Sequence, residues 1–235
     1  MTTVEPVDPK VDGNHTPDAK LPPRLFATDR FPRARVNIYS KPDLLTTIHE
    51  ILGDSPEFDF IRSTCLGVLF DFPASLCQNS EKLVHAMLTR QLFSKNKYNM
   101  WMVYGGHPLR FNLSDFGRVY GLPCRDYPEN YDPNLMEKHP REPDALWREI
   151  IGDSIHTTIG DLVDELRANP EMPPKRRIQL VLITIVDGVL IASAAIHRPT
   201  PKYFRMLDDM ESFLRFPWGR VFLPHYYHAE AIEQW

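Results

Sequence analysis

The stretch YNMWMVYGGHPLRFNLSDFGRVYGLPC, from Tyr98 to Cys124, decides the fold of its part of the chain. On both sides of Gly105-Gly106, large apolar residues alternate with other residues, which is the period of half-buried strands. Two adjacent glycines suit a primed two-residue turn, because that turn needs positive φ at its centre. The stretch therefore predicts an antiparallel hairpin that leads into a short helix.

The turn also fixes the register of the hairpin. With two residues in the turn, Tyr104 faces His107. Two apolar pairs then share one face, which we predict to be buried: Met102 with Leu109, and Met100 with Phe111.

The opposite, outer face of the hairpin carries Trp101 and Arg110. Pro108 lies opposite Val103 in a non-hydrogen-bonded pair, so its missing N–H interrupts no bond between the strands. Trp101 lies opposite Arg110, close enough for a cation–π contact of about 0.5–1 kcal/mol. Trp101 and Tyr104 are our candidates for an interaction surface, although plain surface stacking explains the same pattern.

A short helix is predicted directly after the hairpin. Ser114 is placed to cap its first N–H groups, and Gly121 is placed to end it in the left-handed conformation. Phe116, Val119 and Tyr120 fall on one face of this helix.

The segment VYGGHPLRFNLSDFGRVYGLPC resembles a plant family called domain of unknown function nineteen-eighty-five. Other stretches resemble it as well: FIRSTCLGVLFDF followed by KLVHAMLTRQL, then IVDGVL, then MESFLRFPWGRVFL. The resemblance covers about residues 57 to 223. In longer relatives this domain commonly precedes a cysteine protease of the SUMO-protease type, in transposon-derived plant proteins. The resemblance implies a plant origin, a nuclear setting and a non-catalytic accessory role, and it carries no residue over as functional.

Composition limits the class of protein. The chain has 235 residues, 43% of them hydrophobic, which suits one domain with tails. A net charge of −4 argues against coating nucleic acid by bulk electrostatics. The N-terminus lacks the apolar core of a signal peptide, and three cysteines without C-x-x-C spacing suit reduced thiols. We therefore expect a nuclear or cytoplasmic location.

The chain divides into three parts. Residues 1–35 hold six prolines and few large apolar side chains, so they are predicted to form a flexible arm. Residues 36–223 are predicted to form a single globular domain, and residues 224–235 a tail. The fold class is α+β and mainly α-helical, with a small antiparallel hairpin packed on a helical core that contains one long buried helix.

Helix signals recur along the domain. The predicted starts are Ser40 with Asp43, Ser55-Pro56, Ser80, Asp144, Thr158 with Asp161, and Thr200-Pro201. The last of these helices should stop at Phe216-Pro217-Trp218-Gly219. CLGVLFDFP, residues 65–73, fits a buried strand or a turn, and Pro123 to Pro143 fits a long loop.

Ile178 to Ile196 is the most apolar run in the chain. It is long enough to span a bilayer, but Asp187 at its centre would cost about 2.5–3.5 kcal/mol in lipid. We therefore predict a buried central helix in which Asp187 finds a hydrogen-bond or ionic partner.

Signals for catalysis or metal binding are weak. His225 and His228 have a helical spacing, but no further ligand is in prospect and a structural zinc site needs four. Cys65 or Cys124 could pair with His85 or His107, yet neither cysteine is placed beside a base, and no phosphate-binding loop is present. The sequence predicts no enzyme, no metal site and no cofactor.

Two classes of function remain. The first is a non-enzymatic protein-interaction or accessory module, whose partners we expect to be proteins of unknown identity. The second is a nucleic-acid-binding domain, because basic residues outnumber acidic ones between residues 81 and 120. Its candidate phosphate contacts are Lys95, Lys97 and Arg110. A salt titration separates the two classes, since phosphate contacts weaken steeply as ionic strength rises.

Overall fold

A computed structural model describes residues 39–72, 90–94, 96, 98–133, 135, 141–192 and 194–227, the last five without side chains. The predicted arm, the helix predicted from Ser80, most of the predicted tail, and both Lys95 and Lys97 lie outside these residues.

Helices make up most of the described chain, and the predicted mainly helical α+β class is confirmed. The α-helices are α1 (Asp43–Leu52), α2 (Pro56–Ser63), α3 (Leu113–Tyr120), α4 (Ala145–Ile150), α5 (Ile159–Ala168), α6 (Pro174–Ile185), α7 (Pro201–Arg205), α8 (Met210–Arg215) and α9 (Trp218–Tyr227). The strands β1 (Gln91–Leu92), β2 (Asn99–Tyr104) and β3 (His107–Asn112) form one antiparallel sheet in the order β1-β2-β3.

The hairpin has the register that its turn predicts. Tyr104 pairs with His107 and Val103 with Pro108, and the turn glycines Gly105 and Gly106 have φ of 58° and 81°. The N–H of Val103 donates to the carbonyl of Arg90 at 3.1 Å, so it points away from β3. Pro108 therefore removes no bond from the hairpin, as predicted.

The helix after the hairpin begins two residues earlier than its sequence signal predicts. Its cap is Asn112, which accepts the N–H of Asp115 at 2.9 Å while the Asp115 carboxylate accepts the N–H of Asn112 at 3.1 Å. The prediction that Ser114 caps this helix is wrong, because the last residue of β3 already has the extended backbone that a cap needs. Gly121 ends the helix at φ 67° as predicted. Phe116 is buried, whereas Val119 is exposed.

α6 is the centre of the core. It packs against α1, α2, α4 and α5, and every residue from 179 to 185 is buried. Two buried tryptophans and five fully buried phenylalanine or isoleucine side chains from neighbouring elements add to the same core: Trp147, Trp218, Phe204, Phe213, Phe216, Ile61 and Ile150. The core around α6 therefore combines buried side chains from residues 45–61 with others from the C-terminal half of the chain.

The long buried helix is shorter than predicted. After Ile185 the chain widens into a π-helical turn, Val186–Leu190, in which the N–H of Ile191 donates to the carbonyl of Val186 at 2.8 Å. The freed carbonyls bond elsewhere: Gly188 accepts the N–H of Lys41 at 3.0 Å, and Val189 accepts the Ser40 hydroxyl at 2.7 Å. Ser40 is therefore not the predicted cap of α1, because its hydroxyl ties the start of the domain to this turn.

The helix predicted from Thr200 is interrupted. α7 gives way to a 3₁₀ turn, Met206–Asp208, and Asp209 then caps α8 by accepting the N–H groups of Glu211 and Ser212. α8 ends at its C-cap Phe216, as predicted. A further helix, α9, begins at Trp218, and the sequence did not indicate it. No helix within the described ranges has the length and apolar character of a membrane span.

Candidate functional site

Burial falls across the sheet from β1 to β3. On one face Met102 is 6% exposed, while its partner Leu109 is 46% exposed. On the other face Leu92 is buried, Trp101 is half-buried and Arg110 is exposed. The prediction that the Met102/Leu109 face is buried is therefore wrong at Leu109. β1 pairs with β2 and not with β3, so among the described residues β3 is one of the two edge strands of the sheet.

The end of the hairpin is an exposed surface. Every residue from 104 to 110 is exposed, and Tyr104 is 66% exposed. Tyr104 and Leu109 lie on the same face, because strand residues two positions apart point the same way and the turn pairs Tyr104 with His107. We call residues 104–110 the hairpin edge. It presents an aromatic and an aliphatic side chain to solvent.

Trp101 and Arg110 form the predicted cross-strand contact. The guanidinium carbon of Arg110 lies 5.8 Å from the centre of the Trp101 ring, which is within cation–π range. The half-buried Trp101 ring packs against the exposed Arg110 side chain. Tyr104 is exposed beside the turn at the end of the hairpin. Of the candidate nucleic-acid contacts, the structure describes Arg110 alone.

The backbone of the hairpin edge offers little to an added strand. Met102 and Leu109 form a hydrogen-bonded pair within the hairpin. Because such pairs alternate with non-hydrogen-bonded ones, the backbone polar groups of Pro108, Arg110 and Asn112 point away from β2. Pro108 has no N–H, and the N–H of Asn112 donates to Asp115 in the helix cap. Of these three residues only Arg110 presents an outward N–H, so side chains are the main means of recognition at this edge.

The two cysteines that the structure describes, Cys65 and Cys124, have raised pKa values. Burial raises the pKa of Cys65 to about 11, and its Sγ–H donates to the carbonyl of Leu214 at 3.1 Å. Burial also raises the pKa of Cys124. A nucleophilic cysteine needs a lowered pKa, so neither thiol has the electrostatics of one. In the described part of the chain no group of three or more His, Cys, Asp or Glu side chains is placed to hold a metal ion.

A buried polar site lies at the π-helical turn, in addition to the hairpin edge. The Asp187 carboxylate is 3% exposed and accepts two bonds from Thr200: the hydroxyl donates to Oδ1 at 2.6 Å and the N–H donates to Oδ2 at 2.7 Å. Desolvation raises the pKa of Asp187 to about 7, even though both Thr200 bonds oppose that shift. The sequence predicted a partner for Asp187 but could not identify it, because Thr200 is thirteen positions away in an irregular segment.

His197 lines the same cavity as Asp187 and Thr200. The residue is 6% exposed, and its Nε2 is buried without a hydrogen-bond partner among the described residues. Burial, followed by the charge of Lys41, lowers the pKa of His197. The imidazole is therefore neutral at pH 7. Nothing in the local sequence signalled this histidine.

The described chain is thus a mainly helical α+β domain with an exposed hairpin edge and a buried polar turn. Residues 88–226 match the family described as Domain of unknown function (DUF1985), which is more than half of the chain, and the chain belongs to this family. The match confirms the resemblance and begins after the FIRSTCLGVLFDF stretch. No curated protein and no solved structure gives a significant match to the chain.

Proposed function

We propose that this chain is a non-enzymatic protein-interaction or accessory module and that the hairpin edge is its contact surface. The observation that carries the proposal is the exposure of Tyr104 and Leu109 together on a paired strand. Exposed apolar groups that are clustered on an ordered element are typical of interaction sites, and aromatic residues and Arg are enriched there.

The geometry defines how a partner would bind. Because Pro108 lacks an N–H and the N–H of Asn112 is used in the helix cap, only Arg110 of these three residues presents an outward N–H, so the partner packs mainly on side chains and does not extend the sheet. Tyr104 and Leu109 supply apolar contact area on one face of the hairpin, whereas Arg110, in contact with Trp101, lies on the opposite face. The partner surface that packs on Tyr104 and Leu109 is therefore apolar.

The test is capture of partners by the full chain, with two variants compared. Tyr104→Ser with Leu109→Ser removes the apolar part of the hairpin edge without touching the core. Val119→Ser on α3 is the matched control, since Val119 is 56% exposed and lies outside the edge. A partner that the double variant fails to capture and the control still captures supports the proposal. Partners that bind all three proteins equally contradict it.

The family resemblance supports a cellular setting for this module. We propose that it works in a plant cell, in the nucleus or the cytoplasm, as an accessory to a SUMO-protease-type protein of transposon origin. Binding between the chain and such a protease, and its absence in the Tyr104→Ser, Leu109→Ser variant, would connect this setting to the hairpin edge. A fluorescent fusion that is excluded from both compartments would contradict the proposed location.

A nucleic-acid-binding domain is the alternative, and one observation favours it. An exposed Arg beside a half-buried Trp is an arrangement that can hold a phosphate and stack on a base. If Lys95, Lys97 and Arg110 bind phosphates, the triple Ala variant should reduce the log–log salt slope of binding by about 0.9 for each phosphate that is released. Nuclease treatment during partner capture separates the classes, because a protein-mediated complex survives it.

A further inference from the structure

A cavity of about 290 Å³ lies beside the π-helical turn, apart from the hairpin edge. Its wall is formed by Asp187, Ile191, Ala194, Ile196, His197, Arg198 and Thr200. An apolar cavity of about 150 Å³ holds a benzene molecule, so this space is large enough for a ligand of amino-acid size.

The wall combines one buried negative charge with an exposed positive one. Asp187 takes part in none of the ion pairs found between described residues, and its bonds with Thr200 use one lone-pair position on each oxygen. Each oxygen can accept one more donor. Arg198 is exposed at the wall of the same cavity.

The remaining wall suits an aliphatic group. Ile191, Ala194 and Ile196 contribute apolar surface, and Ile196 is 68% exposed without a covering element in the described structure. His197 contributes a neutral ring whose Nε2 is buried and unpartnered among the described residues. A buried polar atom without a partner is uncommon and is satisfied when a bound group brings a donor or an acceptor.

We propose that this cavity binds an aliphatic amino acid or a close analogue, with its ammonium group at Asp187 and its carboxylate at Arg198. The ammonium supplies the cation that the buried carboxylate lacks, which is the condition under which a buried charge is stable. The aliphatic side chain covers Ile191 and Ile196. The charged and titratable groups around the site are Asp187, His197, Arg198, Lys41 and Tyr203.

The first test compares three probes by calorimetry on the full chain. The probes are L-leucine, 3-methylbutylamine, which lacks the carboxylate, and 4-methylpentanoate, which lacks the amine. We expect leucine to bind best, the amine to bind more weakly, and the carboxylate alone not to bind. Equal binding of amine and carboxylate, or no binding of any probe at millimolar concentration, would overturn the proposal.

Variants identify the groups. Arg198→Gln should weaken leucine binding about two- to fivefold, the effect of an exposed charge pair, and leave binding of the amine unchanged. Asp187→Asn should abolish binding of both. Because Asp187→Asn can disturb the fold through Thr200, Ala194→Phe provides a second approach: Ala194 is exposed, and a ring there fills the cavity. Undiminished leucine binding by folded Ala194→Phe would place the ligand elsewhere and refute the proposal.

The ammonium keeps Asp187 ionised, so binding is coupled to release of a proton. Amine affinity should fall about tenfold for each pH unit below pH 7, the pKa region of the carboxyl. Calorimetry in buffers with different ionisation enthalpies measures the proton directly. A pH-independent affinity would show that the ligand does not contact Asp187.

Discussion

At the scale of single residues, Asp187 makes the stability of the fold depend on pH. Its folded pKa of about 7 lies above the ordinary value, so the folded state holds the proton more tightly than the unfolded state does. The stabilisation is complete below the unfolded pKa, near 3.8, and is lost as pH rises through about 7. Most acidic groups of a folded protein act in the opposite direction.

The prediction is that Asp187→Asn removes this contribution. The difference in unfolding free energy between wild type and variant should change with pH between about 4 and 7 and be constant above that range. Urea denaturation across this pH range measures it. Thr200→Val is the control: it removes a bond that lowers the pKa, so the transition should move to higher pH. A pH-independent difference would show that Asp187 is solvated.

Gly67 illustrates a second constraint at the residue scale. A Cβ atom at this position would lie 2.1 Å from the carbonyl oxygen of Arg62, so the backbone must move to admit one. We predict that Gly67→Ala lowers the free energy of unfolding by about 1–3 kcal/mol. Gly160→Ala in α5 is the comparison, because the nearest heavy atom is 3.5 Å away and alanine favours a helix. Equal effects in chemical denaturation would contradict the steric argument.

At the scale of elements, the cap of α3 gives a direct test. Asn112→Ala should cost about 1 kcal/mol, the usual value for removal of an N-cap, because it removes the side-chain oxygen that accepts the N–H of Asp115, while the backbone N–H that donates to Asp115 remains. Ser114→Ala should change stability by less than about 0.5 kcal/mol, since Ser114 is exposed within the helix. Chemical denaturation of the two variants measures both values. A larger loss of stability for Ser114→Ala than for Asn112→Ala would show that Ser114 caps the helix, as the sequence suggested.

The elements also show where sequence reasoning succeeds. The hairpin register followed from local information alone, because Gly105-Gly106 fixes the turn and the alternation fixes the faces. The cap of α3 was misassigned because β3 and α3 share Asn112, so strand and helix signals overlap there. Leu109 is exposed because β1 pairs with β2 and not with β3. The alternation of apolar residues in the hairpin does not show which strand a third strand will pair with.

The candidate sites also divide into those formed by local sequence and those formed by tertiary contacts. Trp101, Tyr104 and Arg110 could be found in the sequence because they belong to a local hairpin. The cavity at Asp187 could not, because its wall is formed when the chain leaves the π-helical turn and Thr200 folds back on it. The end of the central helix was unpredictable for a related reason: the Ser40 hydroxyl and the Lys41 N–H bond to its last carbonyls from a distant segment.

At the scale of the whole molecule, the folding unit is larger than the family match. The match begins at residue 88, but α1 and α2 bury Leu45, Ile48 and Ile61 against α6. A fragment of residues 88–235 leaves that side of α6 open to water. We predict that it unfolds without cooperativity, whereas a fragment of residues 39–235, which keeps the described core, melts in one transition.

Circular dichroism and calorimetry on the two fragments measure this difference directly. The full chain serves as the reference for both fragments. A cooperative melt of the shorter fragment, with a helical spectrum close to that of the full chain, would show that α1 and α2 are dispensable.

Cys124 lies where its reactivity can report relative motion of α3 and α9. Its sulfur lies 3.1 Å from the place of a Cβ on Gly117 and 2.5 Å from that on Gly219, so it fills the seam where α3 meets α9. The sulfur is half-buried between the two helices, so an alkylating reagent should reach it faster when the helices separate. In a chain whose other cysteines are serine, the rate of alkylation should therefore rise when α3 and α9 move apart, and a partner bound across the two helices should lower it.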